Sequence, residues 1–119
     1  MNLKEELNAV YNKVVFDREQ KYKTSPEVVQ QEDNFKASVN NNMEKYRQMA
    51  SNGYRKAIAY ETNGDSCMHL KQAIQNLTFS TFGGNYKGLS VYFTQKNGTV
   101  FKKHECNVEI VWREEGKYE

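Results

Sequence analysis

The sequence predicts an α+β fold: two N-terminal helices, then strand–helix–strand–strand, with a small antiparallel sheet packed on the helices. Three observations predict it. Apolar residues recur at spacings of three and four through the first fifty positions. After Asn52-Gly53 the pattern changes toward alternation. Asn97-Gly98, a favoured pair for a two-residue hairpin turn, then separates two alternating segments.

Leu3, Leu7, Val10 and Val14 lie one above another on a helix, with Tyr11, Val15, Arg18 and Tyr22 as the adjoining row. Together they make one broad apolar stripe on an amphipathic helix from about Leu3 to Lys23. Thr24-Ser25-Pro26-Glu27 reads as a second helix start: a hydroxyl to cap free amides, a Pro with no amide to lose, and a carboxylate at the positive end. The second helix carries Val28, Phe35, Val39, Met43, Tyr46, Met49 and Ala50. Asn40-Asn41-Asn42 lies inside it and predicts a break or kink, because Asn is a poor helix former. Gly53 supplies a left-handed stop.

Residues 54–61 alternate as a strand, with Tyr54, Lys56, Ile58 and Tyr60 on one face and Arg55, Ala57, Ala59 and Glu61 on the other. The alternative continues the helix through Gly53, at a cost of about 1 kcal/mol. Thr62-Asn63-Gly64 turns the chain, and Asp65 or Ser66 can cap a third helix carrying Met68, Leu70, Ala73, Ile74 and Leu77. Gly83-Gly84-Asn85 reads as a loop. Leu89, Val91 and Phe93 alternate with Ser90, Tyr92 and Thr94 in a half-buried strand. His104, Cys106, Val108, Ile110 and Trp112 share one face of the last strand. No repeat or linker divides the 119 residues, which read as one domain with a helical part (1–53) and a strand–helix–hairpin part (54–119).

Leu, Ile, Val and Phe make up only 24 of the 119 residues, so the core should be small, but the net charge of +2 and eight Tyr argue for a folded chain. The longest unbroken apolar run is four residues, 57–60, against the twenty a membrane-spanning helix needs. Charges crowd the first twenty positions and leave no room for a signal-peptide core, so the expected location is the cytoplasm and no membrane partner is expected. Two cysteines are too few for a disulfide framework, and reduced thiols are expected.

Charge is unevenly distributed. Residues 1–65 are neutral overall. Residues 66–104 contain five Lys and no acid, and residues 105–119 have a net charge of −3. The acid-free stretch also holds Phe79, Phe82, Tyr86, Tyr92, Phe93 and Phe101. Lysines that neutralise phosphate, beside rings that stack on bases, give a single-stranded RNA or DNA surface as one reading. Sheet-core rings with lysines guarding strand edges give the structural reading. The candidate binding residues are Tyr86, Lys87, Tyr92, Lys96, Phe101, Lys102 and Lys103, in the glycine-rich 83–88 loop, the following strand and the hairpin tip. Only four Arg occur and no RNP-type motif is present, which places nucleic acid second to a protein partner.

Cys67-Met68-His69 and His104-Glu105-Cys106 form two pairs of equal spacing. Cys67, His69, His104 and Cys106 could supply a tetrahedral zinc set, although the i, i+2 spacing diverges on a helix and zinc spacings are usually wider. Cys67 near a helix start, with His104 as base and Glu105 or Glu109 orienting it, is the corresponding nucleophile reading. In the structural reading Cys106 is a core residue and both His are surface groups. Phosphate-loop, dinucleotide, zinc-protease and hydrolase signatures are absent. The expectation is a non-catalytic binding protein without a cofactor: an inhibitor, adaptor or regulator that occupies a macromolecular partner. The Asn-, Lys- and Tyr-rich composition suits an AT-rich source such as a phage or mobile element. A homodimer through the first helix, whose second row (Tyr11, Val15, Tyr22) widens its apolar face, is a further expectation.

Overall fold

The computed structural model describes residues 2–114; Glu115, Lys117 and Glu119, counted in the acidic C-terminal segment above, lie outside the described residues. Helix α1 spans Leu3–Lys23. The Asn2 side chain accepts from the Glu5 amide at 2.9 Å, while Glu5 and Glu6 in the first turn and Lys21 and Lys23 in the last complement the helix dipole. Helix α2 spans Pro26–Asn41, with Ser25 as its cap and Pro26 in the first turn. The Asn run breaks the helix as predicted: Asn42 leaves helical geometry at φ −112°, and α3 (Met43–Ser51) begins after it. The N-terminal part therefore contains three helices where two were expected. Gly53, at φ +90°, ends the helical region.

Strands β1 (Lys56–Asn63), β2 (Phe82–Tyr86), β3 (Leu89–Lys96) and β4 (Glu105–Val111) form one sheet in the order β1-β4-β3-β2, antiparallel throughout. Helix α4 (Ser66–Thr78) connects β1 to β2. Residues 56–63 are thus strand rather than continued helix. The register shifts between Ile58 and Tyr60 in β1 and between Phe82 and Gly84 in β2, so both edge strands carry an irregularity.

Helices α2 and α4 pack on one face of the sheet. Phe35 and Val39 of α2 and Leu70 and Ile74 of α4 are fully buried against Val91, Val108 and Ile110. Ala57 and Ala59 lie opposite α2, where the short side chains let the helix approach; the Ser38 hydroxyl donates to the Ala59 carbonyl. Tyr46 brings α3 into the same core, its ring 6.4 Å from that of Trp112, and the Trp112 indole donates to the Tyr54 carbonyl at 2.9 Å. Asn76 of α4 donates to the Lys23 carbonyl and to Glu32, tying the α1–α2 corner to α4.

Three expectations are corrected. Gly83-Gly84-Asn85 is strand, not loop. Gly84 faces inward, where a Cβ would come within 2.6 Å of Thr78 Cβ and the Ser80 carbonyl oxygen, so an absent side chain lets β2 close on the end of α4. Asn97-Gly98 does not make a two-residue hairpin turn. Gly98 is not at positive φ, its amide donates to His104 Nδ1 at 2.8 Å, and Thr99 and Lys102 exchange backbone hydrogen bonds. These contacts hold an eight-residue connection, 97–104. The cysteines are not free thiols: Cys67 in the first turn of α4 and Cys106 in β4 form a disulfide, with Cα atoms 5.8 Å apart. Facing positions on a helix and its supporting strand brought them together, which sequence spacing does not reveal.

Helix α1 also departs from the layered arrangement. None of its residues is buried, and residues 2–14 are all exposed. Val15 is half-buried, and the C-terminal end meets the body through half-buried Tyr22, whose ring lies 5.9 Å from that of His69. The remainder projects. The radius of gyration is 18.3 Å and the extents are 65 × 37 × 25 Å, whereas a compact chain of this length would have a radius near 13–14 Å.

Candidate binding surface

Strand alternation sorts the sheet residues into two sets. In β3, Val91 and Phe93 face the helices and Tyr92, Thr94 and Lys96 face away; in β4, Cys106, Val108 and Ile110 face inward and Glu105, Asn107 and Glu109 outward. Two shallow troughs run along the outward face. One, of about 280 Å³, is lined by Arg55, Lys56, Phe82, Tyr92, Glu109 and Arg113 among others. The second, of about 550 Å³, lies toward the other end, among Glu61, Asn63, Lys96, Glu105 and Asn107. Thr94 belongs to both.

Phe82 and Tyr92 form the aromatic floor of the first trough, with ring centroids 4.9 Å apart and edge to face at 85°. The Tyr92 hydroxyl donates to Glu114 Oε1 at 3.2 Å, and Lys56 pairs with Glu109 at 3.6 Å. Partial desolvation, the Glu114 hydrogen bond and the negative charges of Glu114 and Glu109 raise the Tyr92 phenol above its ordinary value of 10.0. A phenol raised in the fold favours the folded state fully below pH 10.0, and that contribution is lost as pH climbs through the raised value. Glu114→Gln is expected to return the Tyr92 midpoint toward the ordinary value, read from its ring carbon shift in a labelled sample.

The other candidate residues are dispersed. Tyr86 faces the core and packs edge-on against Phe35 at 5.2 Å. Lys87, at φ +52°, donates to Asn40 Oδ1 at 3.0 Å and lies 5.5 Å from the Tyr86 ring centre. Phe101, Lys102 and Lys103 occupy the exposed 97–104 connection at the opposite end of β3, roughly 25 Å away along an eight-residue strand. The acid-free stretch therefore does not fold into one basic patch. Tyr92 and Lys96 share the outward face, where Glu61, Glu105, Glu109 and Glu114 stand beside them. Arg55 and Arg113 are trough residues outside the expected binding set, and Phe82 was expected only as one of the rings of the acid-free stretch. Alternation alone would put Phe82 on the same side as Gly84; the register shift between them, with Gly83 at φ +80°, turns Phe82 outward opposite Tyr92, and the loop expected at 83–85 gave no sign of it.

Of the four candidate metal ligands, the fold joins only the cysteines, and both sulfurs lie against the Thr62 carbonyl oxygen at 3.8 and 3.6 Å. His69 faces Tyr22, and His104 closes the 97–104 connection. Among the described residues no three His, Cys, Asp or Glu side chains gather as a metal set. In its bridged form Cys67 has no thiolate to act as a nucleophile. No described helix is long and apolar enough to cross a membrane. Comparisons with known proteins find no family model, no curated protein and no solved structure that matches the chain.

Proposed function

We propose that this protein is a non-catalytic binding module, an adaptor, inhibitor or regulator, that holds a protein partner on the outward face of its sheet. The observation that carries the reading is the Phe82–Tyr92 pair set in an open trough among charges of both signs. Aromatic anchors within a charged rim are a composition that protein interfaces favour. The four carboxylates along the same face oppose a nucleic-acid backbone, which ranks single-stranded RNA or DNA second. The disulfide bears on location: the cytoplasm keeps thiols reduced, so the bridged protein fits an oxidising compartment better than the cytoplasm expected from the sequence.

The test is affinity capture from nuclease-treated native extract, using the wild-type protein and a Phe82→Ser/Tyr92→Ser variant. Both positions face outward, so the fold is expected to survive. A protein retained by wild type should bind the variant roughly 30-fold more weakly, about 2 kcal/mol, as for loss of an interface hot spot. Equal capture by both proteins, or bound material that disappears with nuclease, would refute the reading.

A further inference from the structure

We infer that the projecting half of α1 is a self-association element and that two copies of this chain pair through it antiparallel. The inference uses α1 rather than the sheet face and stands independently of the function proposed above. Leu3 and Leu7 are 67% and 59% exposed, Val10 59% and Val14 42%, and all four lie on one side of a helix that the rest of the fold leaves bare. A row of side chains spaced four, three and four residues apart is a seam for another helix. What makes a second copy the occupant is the charge on either flank of that seam.

In an antiparallel pair related by a two-fold axis, Leu7 of one copy can meet Val10 of the other, and Leu3 can then meet Val14. That single alignment also sets the positions just outside the seam. On one flank Glu6 falls beside Lys13 of the other copy, and symmetry repeats the pair. On the other flank Lys4 falls beside Tyr11, again twice, where an ammonium over a phenol ring is favourable. A parallel pair in register would instead put Lys13 beside Arg18 of the other copy, a like-charge contact. The helix is thus complementary to itself in one direction only.

The overlap has the right length. The alignment that pairs Leu7 with Val10 brings Asn2 of one copy level with Val15 of the other. Val15 is the first half-buried residue of α1, after an unbroken run of exposed positions from Asn2 to Val14. Residues 3–14 span about 18 Å of helix, so the shared segment coincides with the unbroken exposed run at the N-terminal end of α1. Such a contact is smaller than the roughly 800 Å² per partner of a standard interface, so the dimer should dissociate in the micromolar range.

Sedimentation velocity of the full chain across the micromolar range tests this. Wild type is expected to shift from monomer to dimer as concentration rises. Leu7→Asp should weaken association at least roughly tenfold while thermal unfolding of the dilute monomer stays within about 0.5 kcal/mol of wild type, because Leu7 is 59% exposed in one copy. Glu6→Lys alone and Lys13→Glu alone should each weaken it about fivefold, since each creates two like-charge contacts, and the double swap should restore the wild-type constant. A monomer at every concentration, or a dimer indifferent to Leu7→Asp, overturns the inference. A charge swap that fails to rescue the single variants overturns the antiparallel arrangement.

Discussion

Reduction of the Cys67–Cys106 bridge is expected to lower stability by about 4 kcal/mol, a fall in Tm of about 15 °C for a chain of this length. The bridge joins positions 39 residues apart, a stretch that contains most of α4 together with β2 and β3. Constraining that stretch removes many open conformations from the unfolded chain, and the chain-entropy relation gives the magnitude. The folded state loses less, because Leu70, Ala73 and Ile74 still bury α4 against the sheet. Calorimetry of the same preparation with and without reductant gives the difference, and thiol titration in denaturant reports whether the bridge was present. No titratable thiol before reduction, with a Tm indifferent to reductant, would show that the bridge contributes nothing, and two titratable thiols before reduction would show that it had not formed.

Phe35→Ala should cost 3–5 kcal/mol, the range for emptying a fully buried aromatic site. Phe35 is the largest of the fully buried side chains, and it carries α2 onto the core while its ring supports Tyr86. Urea unfolding with Trp112 fluorescence as the probe measures the loss. Phe79→Ala is the matched control: that ring is 89% exposed, and the change should stay within about 0.5 kcal/mol. A small effect at Phe35 would mean that α2 is not held by the contacts described. The Phe35 variant also tests the role of Tyr86. If Tyr86 serves mainly as a core residue, its ring resonances should lose dispersion when its neighbour is removed.

The elements that the sequence revealed are those governed by local chemistry. Ser25, Pro26 and Gly53 bound their helices through caps and backbone preferences that act within a few residues, and Asn42 breaks α2 from α3 for the same reason. Alternation located β1, β3 and β4 because their inward residues bury side chains. β2 escaped detection because its one buried position is Gly84, which has no side chain to register in a hydropathy pattern. The 97–104 connection escaped because His104, six residues from Gly98, decides its shape. The disulfide depends on α4 lying across β4, a tertiary fact. Apolar periodicity identified α1 as amphipathic but could not say whether its stripe meets its own domain or another chain. At the candidate surface, Tyr92 and Lys96 were found from composition. Their carboxylate neighbours were missed because Glu61, Glu105, Glu109 and Glu114 reach the face from other strands or from beyond the acid-free stretch.

The two outer strands have a consequence for crowded solution. A row of unsatisfied amides and carbonyls at a sheet border is a template on which a foreign strand can grow. Here one border is interrupted between Ile58 and Tyr60, with the Ala59 carbonyl already engaged by Ser38, and the other between Phe82 and Gly84, where Gly83 turns to φ +80°. A stranger aligned with either border would lose its ladder after two or three rungs. Both margins of the sheet thereby carry a break that disfavours fibrous growth.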